Sequence, residues 1–494
     1  MSKKRMIIFT SVILSVVVIS LGIVKLYQTY ALGNYIDTAS SATFDVNITK
    51  DTSVRIPANG YSNVFYMVSN TSPGTVRYGV AYTTDSAVTV KTFSTSKDPA
   101  SGMIEENGKK YVKLRLENTS STVKNITLST VLGYENGGDL VVPSGVTLVT
   151  DTYTPTAATY ITNLYTSALK TTVTNNSITY NTAPSVSLMN DRLGGTTTSL
   201  DGGNIRYYGA SPNNYIYFNC SDYSNQTSST CETWRIIGVF DGKLKLIRGS
   251  QIGTYAWDNK NTSTGAEDNY GKNDWTTARL MKLLNPVDYY INDNNDKDSE
   301  GNYLGYSLYY NSASGKCYSG QNNATVDCDF TSTGIKNDIT RNMIAETTWN
   351  IGGWNINSVY PNQIYEYERG TTVYTGRPTT PWTGKIALAY PSDYGYAADL
   401  NQCKDKKLNG YDNSTCTSNN WMKSIITNNG SYSGWLLTPH SSASYAVWLV
   451  SSSGNVSHDL ASGAFGAVPV LSLSSELGIE SGDGTSNNPY KLSA

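Results

Sequence analysis

The segment TWRIIGVFDGKLKLIRG (residues 233–249) decides the fold of the larger part of this chain. Two runs rich in β-branched and apolar residues flank Asp241-Gly242, and an Asp-Gly pair between such runs is the strongest short signal for a two-residue β-hairpin. Trp234, Ile236 and Val239 are predicted to supply core. The segment therefore predicts a β-hairpin in the core of the second half of the chain.

Further strands and helices are predicted on both sides of this hairpin. NIRYYGA (204–210) and NYIYFNC (214–220) precede it as strands. Three helices are predicted after it: WTTARLMKLL (275–284) capped by Asp274, ITRNMIAETTWNIGG (339–353) capped by Asp338, and NNWMKSIITNNG (419–430) from its apolar residues. Strands with segregated helices predict an α+β domain over residues 204–494.

All the cysteines of the chain lie in this region, in three near pairs: Cys220 with Cys231, Cys317 with Cys328, and Cys403 with Cys416. Zinc sites use close pairs roughly two to four residues apart, which none of these spacings matches. Evenly paired cysteines indicate an oxidising compartment. We predict three local disulfides that each close a polar loop, with free thiols, a metal site or another connectivity as the alternatives.

Residues 31–150 contain no cysteine and no histidine. Short runs such as YVKLRLEN (111–118) alternate apolar and polar residues, which is the period of a half-buried strand. Turn pairs such as Asn59-Gly60 and Asn107-Gly108 separate these runs. The pattern predicts an all-β sandwich of immunoglobulin-like type that serves as a stalk, with a strand-exchanging fibre subunit as the alternative.

Residues 151–203 are predicted to form a connector between the two domains. ATYITNLYTSALK (158–170) is amphipathic and predicts a short helix, and the Thr, Asn, Ser and Gly residues that follow show no strong period.

Residues 1–30 predict a transmembrane anchor or a signal peptide. Lys3, Lys4 and Arg5 precede the apolar stretch 6–24, which is long enough to span a bilayer as a helix. The basic flank keeps the start of the chain cytoplasmic and sends the rest outward. We expect a membrane-anchored protein facing outward at a bacterial cell surface, or a secreted protein if the helix is cleaved.

The composition excludes one class of partner. The net charge is −2 and only 15% of residues are charged, so no basic face for nucleic acid is expected. Hydroxyl and amide residues, together with 38 tyrosines, must cover much of the surface. Such a surface suits recognition, and tyrosine is also a common residue of β-sheet faces.

Several segments resemble a family of bacterial surface modules of unassigned function. They are NYIYFNC (214–220), TWRIIGVFDGKLKLIR (233–248), WTTARLMKLLNP (275–286), GKIALAYPSDYGYA (384–397) and the ending WLLTPHSS (435–442), VWLVSSSGNVS (447–457) and GAVPVLSLSS (466–475). Those modules resemble the C-type lectin-like fold in its formylglycine-generating-enzyme-like branch, and an immunoglobulin-like sandwich commonly precedes them. In that family the positions of His440 and Val468 often hold arginine. The resemblance covers roughly residues 204–494 and implies a C-type lectin-like domain.

The resemblance implies no enzyme activity for this chain. Formylglycine-generating enzymes use a cysteine pair near the domain end, and no cysteine follows Cys416. Iron-dependent relatives use three histidines, and this chain has only His440 and His458. A glycoside-active hydrolase built on Glu366 and Glu368 is a weaker alternative, because two acids on one strand face, with Arg369 beside them, are more often a salt-bridged surface.

No cofactor is predicted, with one exception for calcium. Asp296, Asp298 and Glu300 alternate ahead of Gly301, as at the start of a calcium loop. Ser307 stands where such a loop ends in a bidentate glutamate, so an ordinary acidic loop is the favoured interpretation.

We therefore predict a surface-displayed adhesion or recognition protein, a single-pass chain whose lectin-like head binds an extracellular glycan or protein. A structural matrix or fibre component is the alternative. Binding residues are expected in the loop-rich ending, where hydroxyl and aromatic residues mix. The candidates are Trp435, His440, Ser441, Ser444, Tyr445, Trp448, Asn455, His458 and Phe465.

Overall fold

A computed structural model describes most of the chain from Thr43 onward. The described residues are 43–45, 52–71, 73–94, 96–133, 139–192, 203–259, 270–292, 296–321, 323–374, 377–378 and 381–493. The helix predicted within residues 1–30 lies outside them. No helix in the described ranges has both the length and the apolar character needed to span a membrane.

Two compact units make up the described chain, with 40% of residues in strands and 15% in helices, so the predicted β-rich character is confirmed. The front unit ends at Pro155 and also takes in Thr166–Leu169. The second unit comprises Thr156–Tyr165 and the chain from Lys170 onward.

The front unit consists of two sheets in the orders β1-β3-β7-β5-β10 and β2-β8-β4-β6, with β9 beside β4. Its strands are β1 Thr43–Asp45, β2 Thr52–Ile56, β3 Gly60–Ser69, β4 Val76–Thr83, β5 Val88–Phe93, β6 Ser101–Ile104, β7 Lys109–Asn118, β8 Lys124–Leu132, β9 Val146–Leu148 and β10 Thr152–Tyr153.

Alternation along the strands explains how these sheets bury one face each. In β7, Val112, Leu114 and Leu116 are fully buried, while the residues between them are half-buried or exposed. Successive side chains of a strand point to opposite faces, so one apolar set faces inward. The inward residues of both sheets join in one apolar core, which is the layer arrangement expected of a sandwich.

The second unit is built on a nine-stranded sheet in the order β11-β12-β13-β14-β16-β17-β30-β25, with β15 beside β16. The first strands of the second unit are β11 Thr171–Asn175, β12 Ile178–Ala183, β13 Leu188–Asn190, β14 Ile205–Tyr207, β15 Tyr215–Phe218, β16 Glu232–Phe240, β17 Lys243–Arg248 and β18 Thr254–Ala256. The predicted hairpin is β16–β17, and Asp241 and Gly242 both have positive φ, as a primed two-residue turn requires.

The predicted connector differs from the structure. Its amphipathic stretch does form a helix, α1 (Ala157–Ser167), but residues 171–190 form β11, β12 and β13 of the main sheet. These strands are rich in Thr and Asn, so apolar alternation does not reveal them. Thr182 is nevertheless buried, and its hydroxyl bonds that of Thr171 on the neighbouring strand at 2.8 Å.

A five-stranded sheet, ordered β18-β29-β26-β27-β28, contains most of the C-terminal ending, and four two-stranded ladders complete the unit. The remaining strands are β19 Ser314–Gly320, β20 Ala324–Asp329, β21 Thr347–Trp349, β22 Thr372–Tyr374, β23 Arg377–Pro378, β24 Trp382–Gly384, β25 Ile386–Ala387, β26 Gly434–Pro439, β27 Ala446–Val450, β28 Val456–Leu460, β29 Ala464–Gly466, β30 Val470–Ser472, β31 Gly478–Ser481 and β32 Lys491–Ser493.

Besides α1, the described α-helices of the second unit are α2 Arg279–Leu284, α3 Asp338–Met343, α4 Pro361–Glu368, α5 Pro391–Tyr396, α6 Ser414–Ser418 and α7 Trp421–Ile426. The three helices predicted for residues 204–494 are shorter in the structure, where they are α2, α3 and α7. Asp274 caps a 3₁₀ turn, Trp275–Thr277, ahead of α2. The cap of α3 is Asn337 and not Asp338, and the chain after this helix turns into β21 instead of continuing as a helix.

The three predicted disulfides are confirmed as Cys220–Cys231, Cys317–Cys328 and Cys403–Cys416. The second bridge joins β19 to β20 within one hairpin. All six cysteines are buried, whereas the loops between them are largely polar. The bridges therefore hold loops that have little apolar surface of their own to bury.

Candidate functional site

A cavity of about 270 Å³ opens in the second unit beside the β16–β17 hairpin. Its aromatic wall consists of Phe240, Trp349, Tyr365 and Tyr390. The polar lining consists of Asn204, Asp241, Lys245, Thr347, Thr348, Asn350, Arg369 and Ser472. Aromatic faces beside a few fixed polar groups are typical of small-molecule sites.

The predicted hairpin positions one side of the cavity. Phe240 ends β16, Asp241 begins the turn, and Lys245 lies on β17. The register of β16 shifts between Ile236 and Gly238, where β14 approaches closely. A Cβ at Gly238 would lie 2.1 Å from the Ile205 carbonyl oxygen, so this close approach requires glycine.

The opposite side comes from β21 and from helices α4 and α5. Trp349 ends β21, Tyr365 lies on α4, and Arg369 is the first residue after the end of α4. Tyr390 caps α5, and its hydroxyl donates to the Asn350 carbonyl at 2.8 Å. The cavity is thus formed by segments far apart in the chain.

A buried network of charges adjoins the cavity through Lys245. Arg206 donates through Nε to Asp191 and through Nη1 to Asp393 Oδ1 at 2.9 Å. Lys245 Nζ donates to the other oxygen of Asp393. These four side chains are almost completely buried. Each buried charge has an opposite partner, which is the arrangement that makes burial of charge tolerable.

Burial and pairing shift the pKa values in this network. Burial lowers the pKa of Lys245 to about 8, although Asp393 partly opposes the shift. Burial alone would raise the pKa of Asp393, but Lys245 and Arg206 more than compensate and hold it below its usual value. Both members of the pair are therefore charged at neutral pH.

Glu368 is a fully buried carboxyl at the end of α4. Its two oxygens accept hydrogen bonds from the Ser392 N–H at 2.9 Å and the Ser392 hydroxyl at 2.6 Å. Burial raises its pKa to about 7, with Arg369 and Ser392 acting in the opposite direction. The segment YEYERG thus ends a helix and is not a strand, and Glu366 is exposed while Glu368 is buried.

Replacing Glu368 with glutamine is expected to remove a pH dependence of stability. In the folded protein the Glu368 carboxyl keeps its proton up to about pH 7. In the unfolded chain the same carboxyl loses the proton near its ordinary pKa of 4.5. The contribution of the protonated Glu368 carboxyl to the free energy of unfolding is therefore fully present below pH 4.5 and is lost as the pH rises through 7. Relative to the wild type, Glu368→Gln should gain about 2–3 kcal/mol between pH 5 and pH 8 in urea unfolding.

Glu366→Gln is the matched control for this measurement, because the same change is made two residues earlier at an exposed position. It should leave the pH profile of the wild type unchanged. An equal profile for both variants would contradict the buried, protonated state of Glu368.

The predicted binding residues of the C-terminal ending divide into buried and accessible groups. Trp435 and Trp448 are core residues, and their indole N–H groups donate to the carbonyls of Tyr255 at 2.9 Å and Trp354 at 3.0 Å. Ser444 is also buried. The residues with exposed or half-exposed surface are Ser441, Tyr445, Asn455, His458 and Phe465.

The two histidines lie side by side, with ring centroids 4.4 Å apart, and both pack against Trp448. His440 is buried, and its Nδ1 accepts a hydrogen bond from the Ser442 N–H at 3.3 Å. Burial, with His458 adding to it, lowers the pKa of His440 to about 4. His440 is therefore a neutral residue of this packed cluster at physiological pH.

The three residues of the calcium hypothesis have different surroundings. Asp296 is fully buried and accepts hydrogen bonds from Lys282 at 2.7 Å and Tyr306 at 2.5 Å, with Arg279 as a second cationic partner. Asp298 accepts N–H bonds from its own turn, and Glu300 is exposed. Across the part of the chain that the structure describes, no three His, Cys, Asp or Glu side chains are grouped to hold a metal ion.

Comparison with protein-family models, curated proteins and solved structures finds no match to this chain. A function for this chain must therefore be inferred from the geometry of the cavity.

Sequence patterns missed most of the cavity. The segments that contain Lys245, Trp349 and Tyr390 predict only core strands or helices. Lys245 and Asp393 are 148 residues apart, and no local period reports such a pairing. In KLKLIR, Lys245 alternates with Leu244 and Leu246, a pattern that by itself predicts a solvent-facing lysine, whereas the structure buries Lys245.

Proposed function

We propose that the second unit is a binding module that holds a single ring of a saccharide, or a polar molecule of similar size, in the cavity. One observation supports this most: four aromatic side chains and several amide and hydroxyl groups face the same 270 Å³ space. Aromatic faces accommodate the C–H surface of a sugar ring, and the polar groups fix its hydroxyls.

The polar groups of the site favour binding over catalysis. Shifted pKa values such as those of Lys245 and Glu368 are common in active sites. Here each group is held by a protein partner, since Lys245 binds Asp393 and Glu368 accepts from Ser392. A general acid or base must lie within hydrogen-bond reach of a substrate, whereas Lys245 donates to Asp393 and Glu368 is fully buried.

The remaining elements of the proposal concern how the module is displayed. We propose a bacterial surface protein in which an immunoglobulin-like front unit carries a C-type lectin-like second unit. The basic and apolar start of the chain and the three disulfides support an outward-facing location. The low charge and high tyrosine content of the chain suit adhesion or recognition.

The test is a glycan array probed with the purified protein and with two tryptophan variants. Thr348 is exposed at the cavity lining, so Thr348→Trp should block entry and abolish binding without disturbing the core. Thr325→Trp places the same side chain on an exposed strand residue outside the lining and should bind like the wild type. No binding to any glycan, or filaments from a protein without glycan binding, would refute the proposal.

A further inference from the structure

Arg369 is the cavity residue whose contacts point to a particular ligand chemistry. Its guanidinium lies on the face of the Tyr365 ring, 3.4 Å from the ring centroid. Its Nη1 donates to the Tyr365 carbonyl at 3.2 Å and lies 3.4 Å from Glu368 Oε2. The side chain is 29% exposed. Stacking and one backbone bond thus fix the group while part of it faces the open cavity.

The donors of Arg369 are only partly used. Both of its hydrogen bonds involve Nη1, and no acceptor among the described residues is bonded to Nε or Nη2. These two nitrogens form one edge of the guanidinium, and two parallel N–H groups on one edge match the two oxygens of a carboxylate. A stacked, immobilised arginine loses little freedom when it binds such a group.

The other cation of the lining is already neutralised. Lys245 is paired with Asp393, which Arg206 also binds, and Asp191 balances Arg206. Among the described residues, Glu368 is the acid beside Arg369: its Oε2 lies 3.4 Å from Nη1, and its two oxygens also accept bonds from Ser392. The acid of the lining, Asp241, is exposed on the hairpin turn, where solvent and salt screen its charge. Among the described lining cations, Arg369 is therefore the one that keeps a donor edge, Nε and Nη2, without an acceptor, because its ion pair with Glu368 uses Nη1 alone.

From this geometry we infer that the ligand carries a carboxylate, which the free edge of Arg369 binds while the sugar ring lies among the aromatic side chains. The ligand class is an acidic saccharide, such as a uronic or sialic acid residue. This inference rests on the proposed function of the cavity and adds the charge of its ligand.

The test compares acidic glycans with the same glycans after chemical reduction of each carboxylate to a hydroxymethyl group. Binding of the purified protein to the acidic form should exceed binding to the reduced form by at least about tenfold, the effect of losing hydrogen bonds to a charged group. Equal binding to both forms would overturn the inference and leave the proposed saccharide site standing. Stronger binding to sulfated glycans than to carboxylated ones would also overturn it.

Two arginine variants test the role of the guanidinium edge. Arg369→Lys keeps the charge but loses the paired donors, so affinity for the acidic glycan should fall about tenfold to a hundredfold. Arg115→Lys is the matched control, because Arg115 lies on the Tyr61 ring at 3.7 Å in the front unit, outside the cavity. Unchanged affinity of the Arg369→Lys variant for the acidic glycan would exclude the proposed contact. A wild-type protein that binds no glycan at all would refute the site itself.

Discussion

Replacing Asp393 with alanine is expected to lower the free energy of unfolding of the second unit by about 3–5 kcal/mol. Asp393 accepts from both Arg206 and Lys245, and all three side chains are almost fully buried. Without the carboxylate, two cations are left with Asp191 as the remaining acid of this network. Breaking a buried ion pair on one side costs far more than the pair contributes, because desolvation is not recovered.

Tryptophan fluorescence during urea unfolding measures this effect on the second unit alone. All nine tryptophans lie between Trp234 and Trp448, so the front unit contributes no tryptophan signal. Asp338→Ala is the matched control, because Asp338 is 90% exposed in its ion pair with Arg341 and should cost less than about 1 kcal/mol. Equal losses for the two variants would contradict the supporting role of the buried network.

Replacing Trp448 with alanine is expected to cost about 3–5 kcal/mol, the range found when large core side chains are removed. Trp448 is 1% exposed on β27, and both histidine rings pack against it. Its indole N–H also donates to the Trp354 carbonyl at 3.0 Å, and this bond would be lost. The composition of the ending suggested a binding role for Trp448, whereas its burial predicts a loss of stability.

The same fluorescence measurement separates these two roles when it is combined with the glycan array. Trp448→Phe should recover most of the lost stability because it refills most of the volume. Tyr432→Ala changes an aromatic residue that is 51% exposed and should alter stability by no more than about 0.5 kcal/mol. A Trp448→Ala protein that keeps wild-type stability but loses glycan binding would place the ligand at this tryptophan instead of the cavity.

Local signals predicted the parts of the fold that depend on local physics. The Asp241-Gly242 turn, the alternation along β7 and the apolar spacing of helix α7 each follow from a few neighbouring residues, and the structure has all three. Local signals failed where tertiary packing decides. The Thr-rich β11 and β12 join the main sheet without an apolar period, and YEYERG became a helix end.

Most of the candidate site could not be predicted for the same reason. The cavity brings together residues from Asn204 to Ser472, and its charge network joins Arg206 to Asp393 across 187 residues. Composition identified the aromatic and hydroxyl residues of the ending, but composition does not distinguish a buried tryptophan from an exposed one. The cysteine pairs were predictable because each bridge closes within one short segment.

The third bridge has a consequence for proteolytic cleavage. Exposed polar loops are where proteases cut folded proteins, and Lys404, Lys406 and Lys407 are all exposed between Cys403 and Cys416. A cut after any of these lysines opens the backbone while the disulfide still joins the two pieces. The chain after Cys416, which includes β30 of the main sheet, would stay covalently attached to the rest of the molecule. In an oxidising environment this loop can be nicked without the release of a fragment.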